Sequence, residues 1–252
     1  MKQKVLPLAS ADWAYFLDVD GTLVELAVRP DAVVVSAELR TMISAAFACC
    51  HGALAVVSGR ALADLDQLLA MPQLPMAGQH GLERRDAHGH LHQHVLAPAV
   101  LQEVHELLTP LQERHPGLLL ERKGASLAVH YRQVPRLGSY LHRSIADYLA
   151  QQKHGLQMQK GKYVLELKPQ GHDKGSVIAE FMQQAPFSGR VPVFIGDDLT
   201  DEHGFARVNA MNGISIKVGK GRTHAHYRLP DVTAVHDWLA TMTHHCKQKE
   251  PA

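Results

Sequence analysis

Hydrophobic and polar positions fall in blocks along this chain, and the block pattern changes twice. The run "WAYFLDV" from Trp13 is apolar and aromatic, is bounded by Asp-Gly, and predicts a buried strand. "SAELRTMISAAFACCH" sets Leu39, Met42, Ile43, Ala46, Phe47 and Cys50 at helical spacing behind Ser36, a good N-cap. "ALAVVSGR" predicts a second buried strand, "ALADLDQLLA" a helix, and "LPMAGQHG" a third strand ending in a glycine-bounded loop. Strand, helix, strand, helix, strand at short spacing means parallel pairing and an α/β sheet.

The pattern changes near Glu83-Arg84-Arg85-Asp86. A β-ribbon around "HGHLHQHVL" and a long amphipathic helix through "PAVLQEVHELLTPLQERH" come next. Strands "GLLLERKG" and "SLAVHYR" follow, joined as a hairpin at Lys123-Gly124-Ala125. The helix "RLGSYLHRSIADYLAQQ" precedes a second pair, "LQMQKG" and "KYVLELKP", turning at Gly161. Helix plus hairpin, twice over, is an α+β unit unlike its flanks. After Pro169 the first rhythm returns: helix "HDKGSVIAEFMQQ" with Asp173 as N-cap, strand "RVPVFIGDD", helix "TDEHGFARVN", strand "GISIKVG" and helix "DVTAVHDWLATMTHH". The expected architecture is α/β, a Rossmann-like parallel-sheet core over 1–84 and 170–252 with an α+β domain inserted at 85–169.

Bulk composition narrows the classes. The 252 residues suffice for one large domain or two modest ones, and 46% hydrophobic with 20% charged residues is a globular balance. Lys+Arg 26 against Asp+Glu 25 gives no electrostatic case for nucleic acid or an anionic membrane. No apolar run reaches the length of a membrane span, and the broken N-terminal pattern makes a poor signal peptide. Cys49, Cys50 and Cys246 form no C-x-x-C, so the expectation is reduced packing thiols in a cytoplasmic protein.

The chemistry gathers at strand ends. Asp18 and Asp20, then Ser58-Gly59-Arg60, then Gly196-Asp197-Asp198 each follow an apolar run, where open α/β sheets bind ligands. Two acids at the mouth of a hydrophobic strand repel one another, and a cation offsets that repulsion. Oxygen donors without His or Cys at ligand spacing favour Mg²⁺. A carboxylate at a rigid strand end can attack phosphorus, which suits Asp18. Asp20, one loop step on, could protonate the leaving oxygen and later activate water. Ser58 and Lys174 would hold phosphoryl oxygens, and Asp197 would share the metal. Each has a bland reading beside this one: an Asp-Gly turn, a helix-capping serine, a solvated first-turn lysine, and for Arg60 a surface ion pair.

"DVDGT", "VVSGR", "DKG" and "GDDLTDE", in that order, resemble the four motifs of the haloacid dehalogenase superfamily of phosphatases. The insert resembles the α+β cap (C2 type) of its sugar-phosphatase branch. "AGQHGLERRD", "ERKGASLAVHYR", "GKYVLELKPQGHDKG", "GDDLTDEHGF" and "THAHYRL" narrow the likeness to the trehalose-6-phosphate phosphatase family, over essentially Ala14 to Trp238. The resemblance implies hydrolysis of trehalose 6-phosphate through an aspartyl-phosphate. It makes Asp18 the nucleophile, Asp20 the acid/base, and Ser58 and Lys174 the phosphate holders. Its Mg²⁺ set is Asp18, Asp20 and Asp197. The substrate-binding set is Arg60 with Glu121, Lys123, Arg132, Lys162 and Glu166 of the cap.

Bare spacing leaves those cap residues open. Glu121 and Lys123 share one strand face and Lys162, Glu166 and Lys168 another, as on the solvated side of any antiparallel sheet. "HGHLHQH" puts His88, His90, His92 and His94 at alternate positions, a possible transition-metal set but more simply an exposed ribbon. A small-molecule substrate and a monomeric enzyme are expected, with neither nucleic acid nor membrane as partner. A phosphatase for sucrose phosphate or mannosyl-phosphoglycerate, and a non-catalytic sugar-phosphate sensor, remain the alternatives.

Overall fold

The computed structural model describes residues 5–27, 33–94, 98–123, 126–151, 155–161 and 163–249. The chain divides into two compact units, one of residues 1–92 with 172–252, the other of 93–171.

The first unit is built on an eight-stranded sheet. Its strands are β1 (Trp13–Leu17), β2 (Leu54–Val57), β3 (Met76–Gly78), β4 (Glu83–Arg85), β5 (Leu91–Gln93), β10 (Val191–Gly196), β11 (Ile214–Val218) and β12 (Tyr227–Leu229). The spatial order is β12-β11-β10-β1-β2-β3-β4-β5. Pairing is parallel from β12 to β3, and β4 runs antiparallel to β3. The helices are α1 (Ala37–Cys49), α2 (Leu62–Leu69), α5 (Lys174–Phe181), α6 (Asp201–Ala210) and α7 (Val232–Lys249). β1 and β2 are buried almost end to end, as central parallel strands covered on both faces must be. Phe16 stacks on Phe187 with ring centroids 5.4 Å apart and also meets Phe181 at 5.9 Å.

Three details differ from the sequence reading. The ribbon at His88–Gln93 extends the large sheet, because β4 pairs with β3, and the second unit begins only at Gln93. β12 is a strand where the pattern showed none; it is three residues long and half-buried throughout. Finally, the expectation of reduced thiols is corrected at Cys49, which is disulfide-bonded, while Cys50 is free and buried. Cys49 lies at the end of α1 where it packs on α7, its Sγ 3.5 Å from the Met242 carbonyl.

The second unit holds α3 (Pro98–Arg114), β6 (Leu119–Lys123), β7 (Ser126–His130), α4 (Gly138–Gln151), β8 (Leu156–Gly161) and β9 (Val164–Pro169). Its antiparallel sheet has the order β6-β7-β9-β8. Period-2 alternation splits it cleanly. Leu127, Val129, Leu165 and Leu167 pack with Val104 and Leu108 of α3 and Leu141 and Ile145 of α4 into a core of their own. The opposite face carries Glu121, Ala128, Glu166 and Gln159 side by side in register. Gly124 and Ala125 of the expected hairpin turn lie outside the described residues.

Candidate active site

The registers of β1, β2 and β10 bring their carboxyl ends level. Leu17 pairs with Ile195, and the Asp18 amide donates to the Ile195 carbonyl at 3.0 Å. Asp18 is thereby buried at the carboxyl end of the central strands with its backbone fixed. Lys174 arrives from the other side as the first residue of α5. Asp173 caps that helix, accepting from the Ser176 amide at 2.8 Å while the Ser176 hydroxyl accepts from the Asp173 amide at 2.9 Å. The Lys174 ammonium then donates to Asp18 Oδ1 at 2.7 Å and to Asp201 Oδ1 at 2.6 Å.

Asp201 is the residue that sequence reasoning passed over. It is fully buried at the start of α6. Its Oδ2 accepts from the amides of Asp197 and Asp198, both at 2.9 Å, which folds the loop after β10 back onto the helix. Lys217 of β11 donates to the Asp197 carbonyl from the far side of that loop. Sequence offered one signal, an acid four residues past the Asp197 that ends a buried strand. Nothing in the pattern says that its side chain turns inward.

Charge at this point does not balance by itself. Asp18, Asp197 and Asp201 can each present an oxygen within 4.8 Å of the others, against the ammonium of Lys174, which binds two of them, and that of Lys217 at the Asp197 carbonyl. Burial pushes the Asp197 carboxyl up to about 6, and Asp201 and Asp198 push the same way. Burial also drives Asp18 upward against the pull of Lys174, with Asp201 adding to the rise. For Lys174, burial works against the charge, and the carboxylates of Asp18 and Asp201 more than offset it. Asp197 Oδ1 is buried with no hydrogen-bond partner among the described residues. A buried carboxylate oxygen without a partner is costly unless a cation takes it. Gly21, at φ +80°, lies so close that a Cβ there would come within 2.2 Å of Asp197 Oδ2. An all-oxygen divalent-ion site fits these groups, with Asp18 and Asp197 as donors and Asp201 beside them.

Asp20 is placed differently. Its carboxylate receives the Arg60 guanidinium in a two-point pair, Nε at 2.6 Å and Nη2 at 2.7 Å, and the cluster of possible metal donors takes Asp201 in place of the Asp20 expected in the Mg²⁺ set. Ser58, buried at the end of β2, accepts from the Arg60 amide at 3.2 Å. Arg60 thus ties the Ser58 turn to the Asp20 loop. In the second unit, Glu166 accepts from the Ser126 hydroxyl at 2.8 Å, and His130 meets Glu121 at 2.8 Å on the same polar face. Arg132 is exposed in the turn after β7, Lys123 ends β6, and Lys162 lies outside the described residues.

A rigid acidic strand end, a buried lysine and a cation-sized oxygen cluster suit phosphoryl transfer, and comparison with known proteins gives that chemistry a family. The trehalose-phosphatase sequence profile matches residues 16–233. The chain belongs to the trehalose-phosphatase family. It is 44% identical over 243 residues to the trehalose-6-phosphate phosphatase of Escherichia coli (strain K12), covering 96% of this chain and 91% of that one. Among solved structures, a trehalose-6-phosphate phosphatase of Aspergillus fumigatus superimposes with a TM-score of 0.75 at 25% identity, over 93% of each chain. A haloacid dehalogenase-like hydrolase from Bacteroides thetaiotaomicron shares the fold, at a TM-score of 0.65 and 16% identity over 90% of this chain and 98% of that one. As a trehalose-phosphatase, the chain is a phosphoric monoester hydrolase on an α/β parallel-sheet scaffold. Among the described residues, no helix is long and apolar enough to cross a membrane.

Proposed function

We propose that this chain hydrolyses trehalose 6-phosphate to trehalose and phosphate in two steps, through an aspartyl-phosphate on Asp18. The observation that carries the reading is Asp18 itself. It is buried at a strand end, pinned by the Ile195 carbonyl, and held by Lys174 through one carboxylate oxygen. A nucleophile fixed this way loses little orientational freedom on reaching the transition state.

In the first step an Asp18 oxygen bonds to phosphorus as the bond from phosphorus to the sugar oxygen breaks. Asp20 delivers the proton that the departing sugar oxygen needs. In the second step water attacks the same phosphorus, Asp20 takes the proton back, and the Asp18 oxygen leaves. Arg60 occupies both Asp20 oxygens, so one of the two bonds opens when Asp20 carries the proton, and Arg60 acts here through Asp20. Ser58 and Lys174 face the phosphoryl oxygens, whose charge must be stabilised during transfer. When bound by Asp18 and Asp197, Mg²⁺ offsets the repulsion between the dianionic ester and the carboxylates around it.

The sugar-reading residues of the proposal are Glu121 and Glu166, on the polar face of the second unit's sheet, together with Lys123, Arg132 and Lys162. The Ser126–Glu166 and His130–Glu121 pairs support this, since they hold two of those carboxylates in fixed orientations. The same proposal takes the protein as a cytoplasmic monomer.

The covalent step is tested by acid-quenching the enzyme during turnover and mapping the phosphorylated peptide. A phosphate on Asp18 is expected, and none in Asp18→Asn, whose amide cannot form the acyl-phosphate. Substantial turnover by purified Asp18→Asn would refute the step.

A further inference from the structure

The turn joining β4 to β5 gathers titratable groups that phosphoryl transfer does not use. It is closed by the Asp86 amide donating to the His90 carbonyl at 3.0 Å and the Gly89 amide to the Asp86 carbonyl at 3.1 Å. Within it the Asp86 side chain is only 6% exposed, unusual for an acid in a hairpin turn. Its two oxygens have separate duties. Oδ1 accepts from the amides of His88 at 2.9 Å and His90 at 3.0 Å, which fixes the carboxylate to the turn. Oδ2 faces imidazoles, with His92 Nε2 at 2.9 Å and His90 Nδ1 at 3.5 Å. The His88 and His90 rings stack above, 6.0 Å between centroids.

Asp86, His88 and His90 can each direct one donor atom to within 4.8 Å of the others. The cluster is one carboxylate oxygen, fixed to the turn through its twin, with imidazole nitrogens around it. That donor set is chemically unlike the all-oxygen group at Asp18 and Asp197. Imidazole with a carboxylate suits Zn²⁺ and its neighbours in the first transition row, whereas Mg²⁺ prefers oxygen alone.

We propose that this turn is a second metal site, taking a divalent transition ion of the Zn²⁺ class through Asp86 Oδ2 and the imidazoles of His88 and His90. His92, bonded to the same carboxylate oxygen, orients Asp86 in the way that outer partners orient metal ligands. Bond lengths of about 2.0–2.2 Å require the donors to draw closer than 4.8 Å. His90, with its side chain 75% exposed, has room to swing inward. The fourth position is open to water. Such an ion would clamp the hairpin whose second strand, β5, leads into the inserted unit.

The test uses the full chain, stripped of metal and then held in excess Mg²⁺ so that oxygen-only sites are occupied. Zn²⁺ is titrated against a chromophoric chelator. One tight equivalent is expected in the wild type. A His88→Ala/His90→Ala variant should bind that equivalent at least tenfold more weakly, and His92→Ala about ten- to a hundredfold more weakly. Because the chain has 18 histidines, the loss in these variants identifies the site more firmly than the stoichiometry alone. The His88 and His90 rings are exposed, so circular dichroism and Mg²⁺-supported phosphatase activity of the double variant should match wild type. As a second readout, imidazole resonances of His88 and His90 should shift on adding Zn²⁺. Equal Zn²⁺ affinity in wild type and double variant, or no binding below millimolar Zn²⁺, would overturn the proposal and leave a turn held by Asp–His hydrogen bonds alone.

Discussion

Asp18 announces itself in sequence because it ends an apolar run and is followed by an Asp-Gly turn. Asp201 does not, because its burial follows from a loop closing on it, a tertiary fact with no periodic signature. The same is true of the Asp20–Arg60 pair, whose members stand 40 residues apart in the chain. Gly21 carries a prediction at this scale. Its positive φ and the 2.2 Å approach to Asp197 leave no space for a methyl group. Gly21→Ala should displace Asp197 and raise the Mg²⁺ concentration needed for half-maximal activity by roughly tenfold, the effect of about 1.4 kcal/mol. Metal titrations of activity on the folded variant check this, and an unchanged Mg²⁺ requirement would mean that Asp197 does not hold the ion.

Among the elements, β1, β2, β10 and the helices between them were legible from apolar runs and helical spacing. The strand ends therefore pointed to the site before any contact was known. β12 escaped because three half-buried residues carry too little pattern to register. The β4–β5 hairpin was legible as a ribbon, but its membership of the large sheet depends on pairing with β3, which local sequence does not encode. α5 links element to site most directly, since its capping box fixes the residue after the cap, Lys174. Asp173→Ala removes the box's acceptor and should cost about 0.5–2 kcal/mol of stability in denaturant titrations. It should also lower kcat by letting the lysine's backbone shift. Full stability and full kcat together would show that the box does not matter for placing Lys174.

At the scale of the whole molecule, each of the two compact units has a hydrophobic core of its own. The two changes of rhythm were visible in the chain. The position of the first boundary was not, because a β-ribbon reads alike on either side of it. If the first unit supplies chemistry and the second supplies sugar recognition, Glu166→Ala should be substrate-selective. Removing Glu166 takes away its hydrogen bond with the Ser126 hydroxyl, and a hydrogen bond to a charged group is worth about 1.5–3 kcal/mol. kcat/KM for trehalose 6-phosphate should fall roughly ten- to a hundredfold. Hydrolysis of p-nitrophenyl phosphate, which carries no sugar, should change little. Equal losses on both would assign Glu166 to the fold and not to recognition.

The most direct test of the function is phosphate release by the purified chain from trehalose 6-phosphate, set beside sucrose phosphate, mannosyl-phosphoglycerate and glucose 6-phosphate, with Mg²⁺ and after exhaustive chelation. The expected result is a kcat/KM for trehalose 6-phosphate at least tenfold above every other ester, the scale of a few lost sugar contacts. Activity should vanish on chelation and return with Mg²⁺. A flat profile, a preference for another sugar phosphate, or full activity in the demonstrably metal-free protein would contradict the account.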